Sequence, residues 1–568
     1  MTADKDIELK KLHSDEDAAA AVRLIPIKIF DHDKSYQQRS TESIPFSEAL
    51  SLTKFGKFNY CIMFISGIIL GNVLLETATI GFILPIAQCD LQLTNQDKGV
   101  LSAIGFVGII LSSHLWGFLA DTKGRRRVIR PTLITAFVVT VFSSFANSFW
   151  LMVLLRLLNG FFVSGGSGTV YAYLGEFHTD KTRSRAMMGA SVIFALGAMT
   201  LPFIAFLILN MEWILPIPYL DIDYKPWRFF MVVCGFPGII CGLSLYFLPE
   251  SPKFLLLVNK EEEAIEVLQK IYKWNGGKEK LKITHIQPEF DDVSGARAGS
   301  GSVPVPDSTL GLSNKVLNSN SNIVFTFLQA MWQQTVPLFY KKYLRTTLIV
   351  CTLQFWLYVV TNGLYMWFPH IINSMSEFMN IHPGEEKRIC EIVYEKNEQL
   401  YKTDGAMECI TKLENSTYFY SLIMEILYVS SFACIGLIIN RVGKIPILFI
   451  TIIFFTLCGL AAVFVADPSI AAYLYVLFFL VGASINVLGA ATVELYPTNM
   501  RAMAICISLM FGRVGSVVGA NIVGALLGTH CELTFYISCG ALLICAFMTL
   551  WIPRNSIEKP IKETHPEA

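Results

Sequence analysis

Gly117-Phe-Leu-Ala-Asp121-Thr-Lys-Gly124-Arg125-Arg126-Arg127 is a short basic stretch between two long apolar runs, residues 99–119 and 128–146. A tight turn rich in Lys and Arg between two membrane-spanning helices is typical of the cytoplasmic side of a membrane. Gly124 suits a turn that needs a positive φ, and Asp121 suits an ion pair with a nearby Arg or a helix N-terminus. The stretch alone is equally consistent with an ordinary basic loop, which any membrane protein can have.

The same pattern returns later in the chain, where Gly436-Leu-Ile-Ile-Asn440-Arg441-Val-Gly443-Lys444 starts 319 positions after Gly117. An acid and a base seven positions apart also occur twice, at an offset of 318 positions, as Glu176 with Arg183 and as Glu494 with Arg501. Two different motifs at nearly one offset indicate a duplicated chain. Two parallel repeats are the architecture of the major facilitator superfamily of transporters, and the paired motifs resemble those of that superfamily.

The composition is that of a membrane protein. Of the 568 residues, 53% are hydrophobic and only 16% are charged, against about 25% charged in soluble domains. The formal net charge is zero, so no nucleic-acid partner is expected. We find no nucleotide-binding loop, no metal-ligand cluster and no nucleophile beside a base, and we therefore expect neither an enzyme, nor a cofactor, nor a metal site.

Twelve apolar runs are long enough to cross a bilayer, each near the roughly 20 residues that a spanning helix needs. They lie at 59–84, 98–120, 128–147, 149–173, 186–209, 228–248, 345–369, 419–439, 445–466, 470–493, 502–527 and 532–552. The runs predict an all-α membrane protein with twelve transmembrane helices in two six-helix bundles. Lys and Arg are concentrated in the short loops of one side, so we expect both termini to be cytoplasmic.

The runs divide the chain into five expected parts: a cytoplasmic N-terminal tail (1–57), an N-terminal bundle (58–248), a cytoplasmic central loop with amphipathic helices and a disordered linker (249–344), a C-terminal bundle (345–553) and a cytoplasmic C-terminal tail (554–568). A polar extracytoplasmic loop at 370–418 interrupts the C-terminal bundle. We expect a monomer in the plasma membrane or in an intracellular vesicle.

The predicted extracytoplasmic loop contains Asn415-Ser416-Thr417, a glycosylation sequon on the side of the membrane where glycosylation takes place. It also contains Cys390 and Cys409. In an oxidising compartment we expect them to form a disulfide that closes a loop of about 20 residues. Two free thiols are the alternative.

Charges at the cytoplasmic ends of the helices resemble those of the sugar-porter branch of the superfamily, as does Pro249-Glu250-Ser251-Pro252-Lys253 after the sixth run. The resemblance implies a salt-bridge network between the two halves that closes the cytoplasmic side. Loop charges without a gating role are the alternative, and Asn440 could simply cap a helix. The residues expected in this gate are Asp121, Gly124, Arg125, Arg156, Glu176, Arg183, Asn440, Lys444, Glu494 and Arg501.

Polar residues inside the predicted helices are candidates for a solute-binding cavity, because charge within the hydrocarbon is costly. Glu76 and Asn72 share one face of the first helix, and Glu76 would either pair with an Arg or carry a proton. Interhelical hydrogen bonding is the alternative role for the polar, uncharged candidates. These are a stripe in the seventh helix and one residue in the tenth: Gln354, Tyr358, Asn362, Tyr365 and Asn486.

Arg513 is the remaining cavity candidate. It lies twelve residues after Arg501, about 18 Å along a helix at 1.5 Å per residue, which places it near the middle of the membrane. Arg513-Val514-Gly515-Ser516 resembles the eleventh-helix pattern of organic-ion transporters. A fixed positive charge there suits a carboxylate or another anionic group, and neutralisation of Glu76 or Glu425 is the alternative.

Two further segments, Lys54-Phe55-Gly56-Lys57-Phe58 and Tyr365-Met366-Trp367-Phe368-Pro369, resemble the synaptic vesicle glycoprotein 2 family and its relatives. The resemblance and the polar cavity residues imply a secondary active or facilitative transporter. We expect it to move a small polar or anionic organic solute by alternating access, with or without protons. A sugar transporter and a membrane scaffold that keeps the fold without transporting are the alternatives.

Overall fold

The computed structural model describes residues 43–281, 283–287, 332, 335–402, 412–496 and 498–553. Within that part of the chain, twelve helices are long and apolar enough to cross a membrane, which confirms the predicted fold class. We number them spans 1 to 12: Lys57–Ala87, Asn95–Lys123, Arg125–Ser144, Phe149–Gly175, Asp180–Leu209, Pro226–Ser244, Lys341–Ile381, Asn415–Val442, Lys444–Phe464, 468–495, Thr498–Leu526 and Cys531–Thr549. The expectations for residues 1–42, 288–322 and 554–568 lie outside the described residues.

The two ends of the bundle differ in charge. The end with the turns after spans 2 and 8, here called the basic end, carries the Arg- and Lys-rich motifs, and the opposite end is called the far end. In both turns a glycine adopts a positive φ, 105° at Gly124 and 93° at Gly443. Since a side chain is disfavoured at such φ values, the two turns share one backbone conformation, although Asp121 of the first corresponds to Asn440 of the second.

Spans 1–6 form one half of the molecule and spans 7–12 form the other. Between the halves, span 2 packs against span 11 and span 5 packs against span 8. Within the second half, spans 7 and 11 approach backbone to backbone: a Cβ added to Gly363 would lie 2.7 Å from the Gly519 backbone. Small residues permit such close contact between membrane helices.

Span 7 is not a continuous α-helix. After the α-helix Lys341–Tyr358, the chain forms a π-helical turn at Val359–Leu364 and a 3-10 turn at Tyr365–Trp367, and an α-helix resumes at Phe368–Ile381. Such π-helical turns inside helices are frequent at functional sites. Span 10 is also interrupted, by a 3-10 turn at Leu480–Gly482.

The helix at Phe368–Ile381 corrects the predicted extracytoplasmic loop, which was placed at 370–418 and therefore starts too early. The segment appears loop-like because His370, Asn373 and Ser374 are polar. In the structure these three side chains are buried together with Ile371 and Met375, and hydrogen bonds satisfy several of them: the hydroxyl of Ser374 donates to the carbonyl of His370 at 3.1 Å.

A small collar of non-membrane elements covers the basic end. It consists of β1 (Ser43–Pro45), α1 (Phe46–Leu52), α2 (Pro252–Leu257), α3 (Glu261–Trp274) and β2 (His285–Gln287). Strands β1 and β2 pair in parallel. Residues 43–57 were expected to belong to a tail, but Phe46 and Leu50 are buried in the same hydrophobic cluster as Leu268 of α3. The apolar face of α1 therefore has a partner more than 200 residues away in the sequence.

The far end is held by a disulfide that differs from the predicted one. Cys390, in helix α4 (Ile389–Lys402), is bonded to Cys531 at the start of span 12, with a Cα–Cα distance of 5.5 Å. The predicted Cys390–Cys409 disulfide is therefore wrong, because Cys390 pairs with Cys531. Cys409 itself lies outside the described residues. The hydroxyl of Tyr394 accepts a hydrogen bond from the Cys531 amide at 2.6 Å, so α4 is fixed to span 12 rather than to its own loop.

Candidate functional site

Arg513 of span 11 connects the two halves of the molecule. Its Nη1 donates a hydrogen bond to the hydroxyl of Ser113 in span 2 at 2.5 Å. The hydroxyl of Ser113 lies 3.2 Å from that of Ser164 in span 4. A guanidinium group has five donors in a rigid planar fork. Within the part of the chain that the structure describes, this one bond leaves most of the Arg513 donors available.

No carboxylate neutralises Arg513 among the residues that the structure describes. The alternative that Arg513 pairs with Glu76 or Glu425 is therefore wrong. The carboxylate of Glu76 is bonded within the first half, and that of Glu425 is bonded to Tyr365. A half-buried cation without a counter-ion is costly in a low-dielectric environment, and this arrangement favours an anionic ligand.

The four residues of the predicted polar stripe of span 7 lie in three different surroundings. Tyr365 is bonded to Glu425, and the other three lie near Arg513 or against span 11. Gln354 and Tyr358 lie beside each other and near Arg513, and a Cβ added to Gly512 would lie 2.8 Å from the Tyr358 ring. The amide of Asn362 donates to the Ser516 hydroxyl of span 11 at 3.1 Å, which is the interhelical alternative. Gln354 and Tyr358 therefore lie near Arg513, whereas Asn362 links two helices.

Asn486 is exposed on span 10. Two positions earlier, the hydroxyl of Ser484 lies 2.9 Å from that of Thr451 in span 9. Successive residues of an α-helix are about 100° apart, so Asn486 lies on the side of span 10 that faces away from span 9.

Glu76 and Asn72 lie inside the first half, not at the interface between halves. The Thr140 hydroxyl and the Asn159 amide both donate to Oε2 of Glu76, at 2.7 Å and 3.1 Å. A Cβ added to Gly238 of span 6 would lie 2.7 Å from the Asn72 amide nitrogen. Both side chains are about 2% exposed or less. Their predicted place in the cavity is therefore wrong, because their shared helix face is turned towards spans 3, 4 and 6.

Arg156 also corrects the sequence analysis, which placed it in the cytoplasmic gate. Its Nη1 donates to the backbone carbonyl of Glu76 at 3.3 Å, and the side chain is buried. Arg156 precedes Glu176 by 20 residues, which is about 30 Å of α-helix. The two charges therefore lie near opposite ends of span 4, and Arg156 balances Glu76 electrostatically.

At the basic end, Arg125 is the centre of an ion-pair network within the first half. Its Nη2 lies 2.9 Å from a carboxylate oxygen of Asp121 and 3.1 Å from one of Glu176. Burial raises the pKa of Glu176, and the charge of Arg125 opposes that rise. The network joins the ends of spans 2, 3 and 4 and explains why the turn needs Asp121, Arg125 and Glu176 together.

Glu250 of the Pro-Glu-Ser-Pro motif completes this network, although the sequence analysis gave it no individual role. Its carboxylate accepts hydrogen bonds from the amides of Arg126 and Arg127 at 3.1 Å and 3.3 Å. These amides have no acceptor within their own helix, because they lie at the N-terminus of span 3, where the helix dipole also favours an anion. The signal for this role is an acidic residue directly after span 6, opposite a basic helix start.

The predicted salt bridges between halves at the basic end stay a prediction, since the side chains of Asn440, Glu494 and Arg501 lie outside the described ones. Lys444 donates to the carbonyl of Ala490 at 3.0 Å, within the second half. Arg183 donates from Nε to the carbonyl of Gly175 at 3.3 Å, within the first half.

At the far end the two halves are in direct contact. The ring of Phe82 in span 1 stacks on that of Tyr418 in span 8, with 6.4 Å between centroids. Glu212 forms an ion pair with Lys412, and the Asn210 amide donates to Oδ1 of Asn415 at 3.3 Å. The far end is therefore closed in this structure. Asn415 is exposed in the first turn of span 8, and its glycosylation stays a prediction.

Several residues at these sites were missed from the sequence. Ser113, Ser164, Thr140 and Asn159 are small or neutral polar residues within apolar runs. Such residues are common in membrane helices and rarely signal a site alone. Asn159 had one usable signal, because it lies three residues after Arg156 and so shares a helix face with an intramembrane charge.

The sequence of each half matches a known transporter family. Residues 54–375 match the family model for "Sugar (and other) transporter", and residues 414–567 match that for the "Major Facilitator Superfamily". Synaptic vesicle glycoprotein 2A of Rattus norvegicus is 27% identical over 343 residues, which cover 58% of this chain and 44% of that protein. Glycoprotein 2C of the same organism is 30% identical over 221 residues, covering 39% and 30%. The chain thus spans less than half the length of these relatives.

Solved structures show the same fold. The xylose transporter XylE from E. coli in an inward open conformation is 14% identical, with a TM-score of 0.58 and coverage of 87% of this chain and 95% of that one. The nucleoside transporter NupG is 13% identical, with a TM-score of 0.54 and coverage of 87% and 99%. The fold and family are those of transporters and not of enzymes. The chain is a multi-pass membrane protein that belongs to the sugar (and other) transporter family of the major facilitator superfamily.

Proposed function

We propose that this chain is a transporter that moves a small organic solute with an anionic group by alternating access, and that Arg513 binds that group. The observation that carries the proposal is the contact of Arg513 with Ser113 across the two halves, with no carboxylate partner among the described residues. A guanidinium group matches a carboxylate or a phosphate in a bidentate geometry. A solute held there touches both halves and is positioned to sense their relative movement.

Neutral polar groups beside Arg513 supply the remaining contacts. Gln354 and Tyr358 of span 7 lie on one side, and the hydroxyls of Ser113 and Ser164 lie on the other. Hydrogen bonds from such groups select polar solutes, because an apolar solute would leave them without partners. A neutral sugar is the second candidate, favoured by the family match over residues 54–375.

We place the basic end in the cytoplasm, because Lys and Arg in short loops are retained there. Both termini are then cytoplasmic, and the far end faces the outside or a vesicle lumen. When the far end opens, we propose that the basic end closes through Glu176 and Arg183 of one half and Glu494 and Arg501 of the other. The matched spacing of these pairs in the two halves supports this gate.

The test is uptake from a mixed metabolite extract into proteoliposomes, with the contents identified by mass spectrometry. We expect a carboxylate- or phosphate-bearing solute to be enriched over empty liposomes. Arg513→Lys keeps the charge but loses the planar fork, and should weaken the apparent affinity about tenfold. The matched control is Arg388→Lys, at an exposed far-end arginine, which should not change affinity.

Other outcomes separate the alternatives. Enrichment of a neutral sugar, with unchanged affinity in Arg513→Lys, would reject anion binding in favour of the sugar candidate. No enrichment by correctly folded and oriented protein would favour a scaffold that does not transport.

A further inference from the structure

Glu425 of span 8 is a buried carboxylate at the interface between the halves. It is 8% exposed and lies ten residues from the far-end start of span 8, about 15 Å along the helix. It borders a cavity with room for about one water molecule. Gly81 and Phe82 of span 1 and Pro202 of span 5 line this cavity from the first half, and Tyr365 and Met424 line it from the second.

The surroundings of Glu425 contain no positive charge among the described residues. The hydroxyl of Tyr365 donates to Oε1 at 3.0 Å, and the phenol of Tyr428 lies one helical turn further along span 8. The cavity-lining residues of spans 1 and 5 are apolar and do not titrate. Span 10 contributes the ring of Phe479, 6.2 Å from that of Tyr365. An ionised carboxylate in this setting is strongly disfavoured, because desolvation is not offset by a partner charge.

A bound metal ion is not a suitable counter-charge for the buried Glu425 carboxylate. Ions such as Ca²⁺ and Mg²⁺ require six or more oxygen ligands. The described oxygens at this cavity are few: the Glu425 carboxylate, the Tyr365 hydroxyl and the Ser421 hydroxyl, which already donates to the Thr417 carbonyl at 2.8 Å. A proton needs only the carboxylate itself.

We propose that Glu425 is the proton-binding group of this transporter, protonated while the far end is closed and ionised once the far end opens. The reaction is the binding of one proton from water on the far side to the carboxylate, which yields a neutral carboxylic acid. Closure brings spans 1 and 8 together over the neutral form, whereas opening hydrates the carboxylate and releases the proton. The proton returns to the side from which it came, and its binding and release control the opening of the far end. This inference rests on the proposed alternating-access function.

The test uses pulsed electron paramagnetic resonance to measure far-end opening without any solute. Spin labels are attached at Tyr219→Cys and Ile381→Cys, two exposed far-end positions in different halves. Four cysteines that are free and accessible among the described residues, Cys61, Cys434, Cys458 and Cys506, are replaced by serine. For the otherwise native protein we expect the longer, open distance to gain population as pH rises, because ionisation of Glu425 favours opening.

Glu425→Gln imitates the protonated form and should keep the short, closed distance at every pH. The matched control is Glu76→Gln, at a carboxylate that is also buried but is bonded within one half, and it should retain the pH response. Equal pH responses in the native protein and Glu425→Gln would overturn the proposal. So would the absence of any pH response in the native protein.

A second variant covers the case in which Glu425→Gln does not fold. Tyr365→Phe removes the hydroxyl that stabilises the ionised carboxylate, so the midpoint of opening should move to higher pH by roughly one unit, a tenfold change in proton affinity. An unchanged midpoint would overturn the proposal. Because the measurement needs no solute, intact pH-dependent opening together with failed anion uptake would reject the proposed solute and leave the proton site standing.

Discussion

Glu76 and Glu425 are both carboxylates buried within membrane spans, but their surroundings differ. Glu76 accepts hydrogen bonds from Thr140 and Asn159, and Arg156 lies beside it, all within one half of the molecule. Glu425 has one donor, Tyr365, and faces the interface between halves. A carboxylate fixed by partners inside a rigid half contributes to stability. A carboxylate at an interface that opens and closes can change its protonation with the movement.

The largest expected difference between Glu76 and Glu425 is in the free energy of unfolding when each is replaced. Glu76→Leu leaves two donors without an acceptor and Arg156 without a balancing charge, so it should lower the free energy of unfolding by about 3 kcal/mol. Glu425→Leu removes one hydrogen bond and a carboxylate that is costly to bury, and should change it by about 1 kcal/mol or less. The measurement is denaturant unfolding of both variants in one detergent. Equal losses would remove the distinction between the two sites.

The sequence could supply the helices and the approximate depth of each residue, because both follow from hydrophobic length and from a fixed rise per residue. Twelve spans were predicted, and the structure has twelve in its described part. Arg513 was placed at mid-membrane, and it bonds there to Ser113 of the other half. The glycine turn at Gly124 followed from its composition and has the expected positive φ.

The direction in which a side chain points was less predictable. Glu76 and Arg156 were assigned to a cavity and to a gate, but they meet inside the first half. Which neighbour faces a given helix side depends on tertiary packing, which one sequence does not encode locally. The disulfide failed for a similar reason: Cys390 pairs with Cys531, 141 positions away, because α4 folds onto span 12 instead of closing its own loop.

Two variants that each remove one hydroxyl, Ser113→Ala near Arg513 and Thr140→Ala near Glu76, should have smaller effects. Ser113→Ala removes the group that orients Arg513, so the apparent affinity for the solute should fall about threefold while stability stays nearly unchanged. Thr140→Ala removes a donor to Glu76, so stability should fall by about 1 kcal/mol while affinity stays unchanged. Uptake kinetics and unfolding measured on the same two preparations test both halves of this prediction. The reverse pattern would place the solute near Glu76.

The smallest expected effect is a change in gel mobility, which reports the side of the membrane that the far end and Glu425 face. If the far end is extracytoplasmic, Asn415 is available for glycosylation, because it is exposed at the start of span 8. Deglycosidase treatment should then increase the gel mobility of the native protein and not that of Asn415→Gln, with little change in uptake. The Asn210 amide, which donates to Asn415, is a minor obstacle, since an exposed bond of this kind contributes little stability. A native protein that shows no mobility change would argue against glycan attachment at Asn415, and the far-end orientation would then rest on the distribution of Lys and Arg alone.

Labelling of Tyr219→Cys from outside intact cells decides that orientation, because Tyr219 is fully exposed at the far end. Labelling there means that Glu425 takes its proton from the outside, whereas protection from the reagent means that it takes its proton from the cytoplasm or from a vesicle lumen.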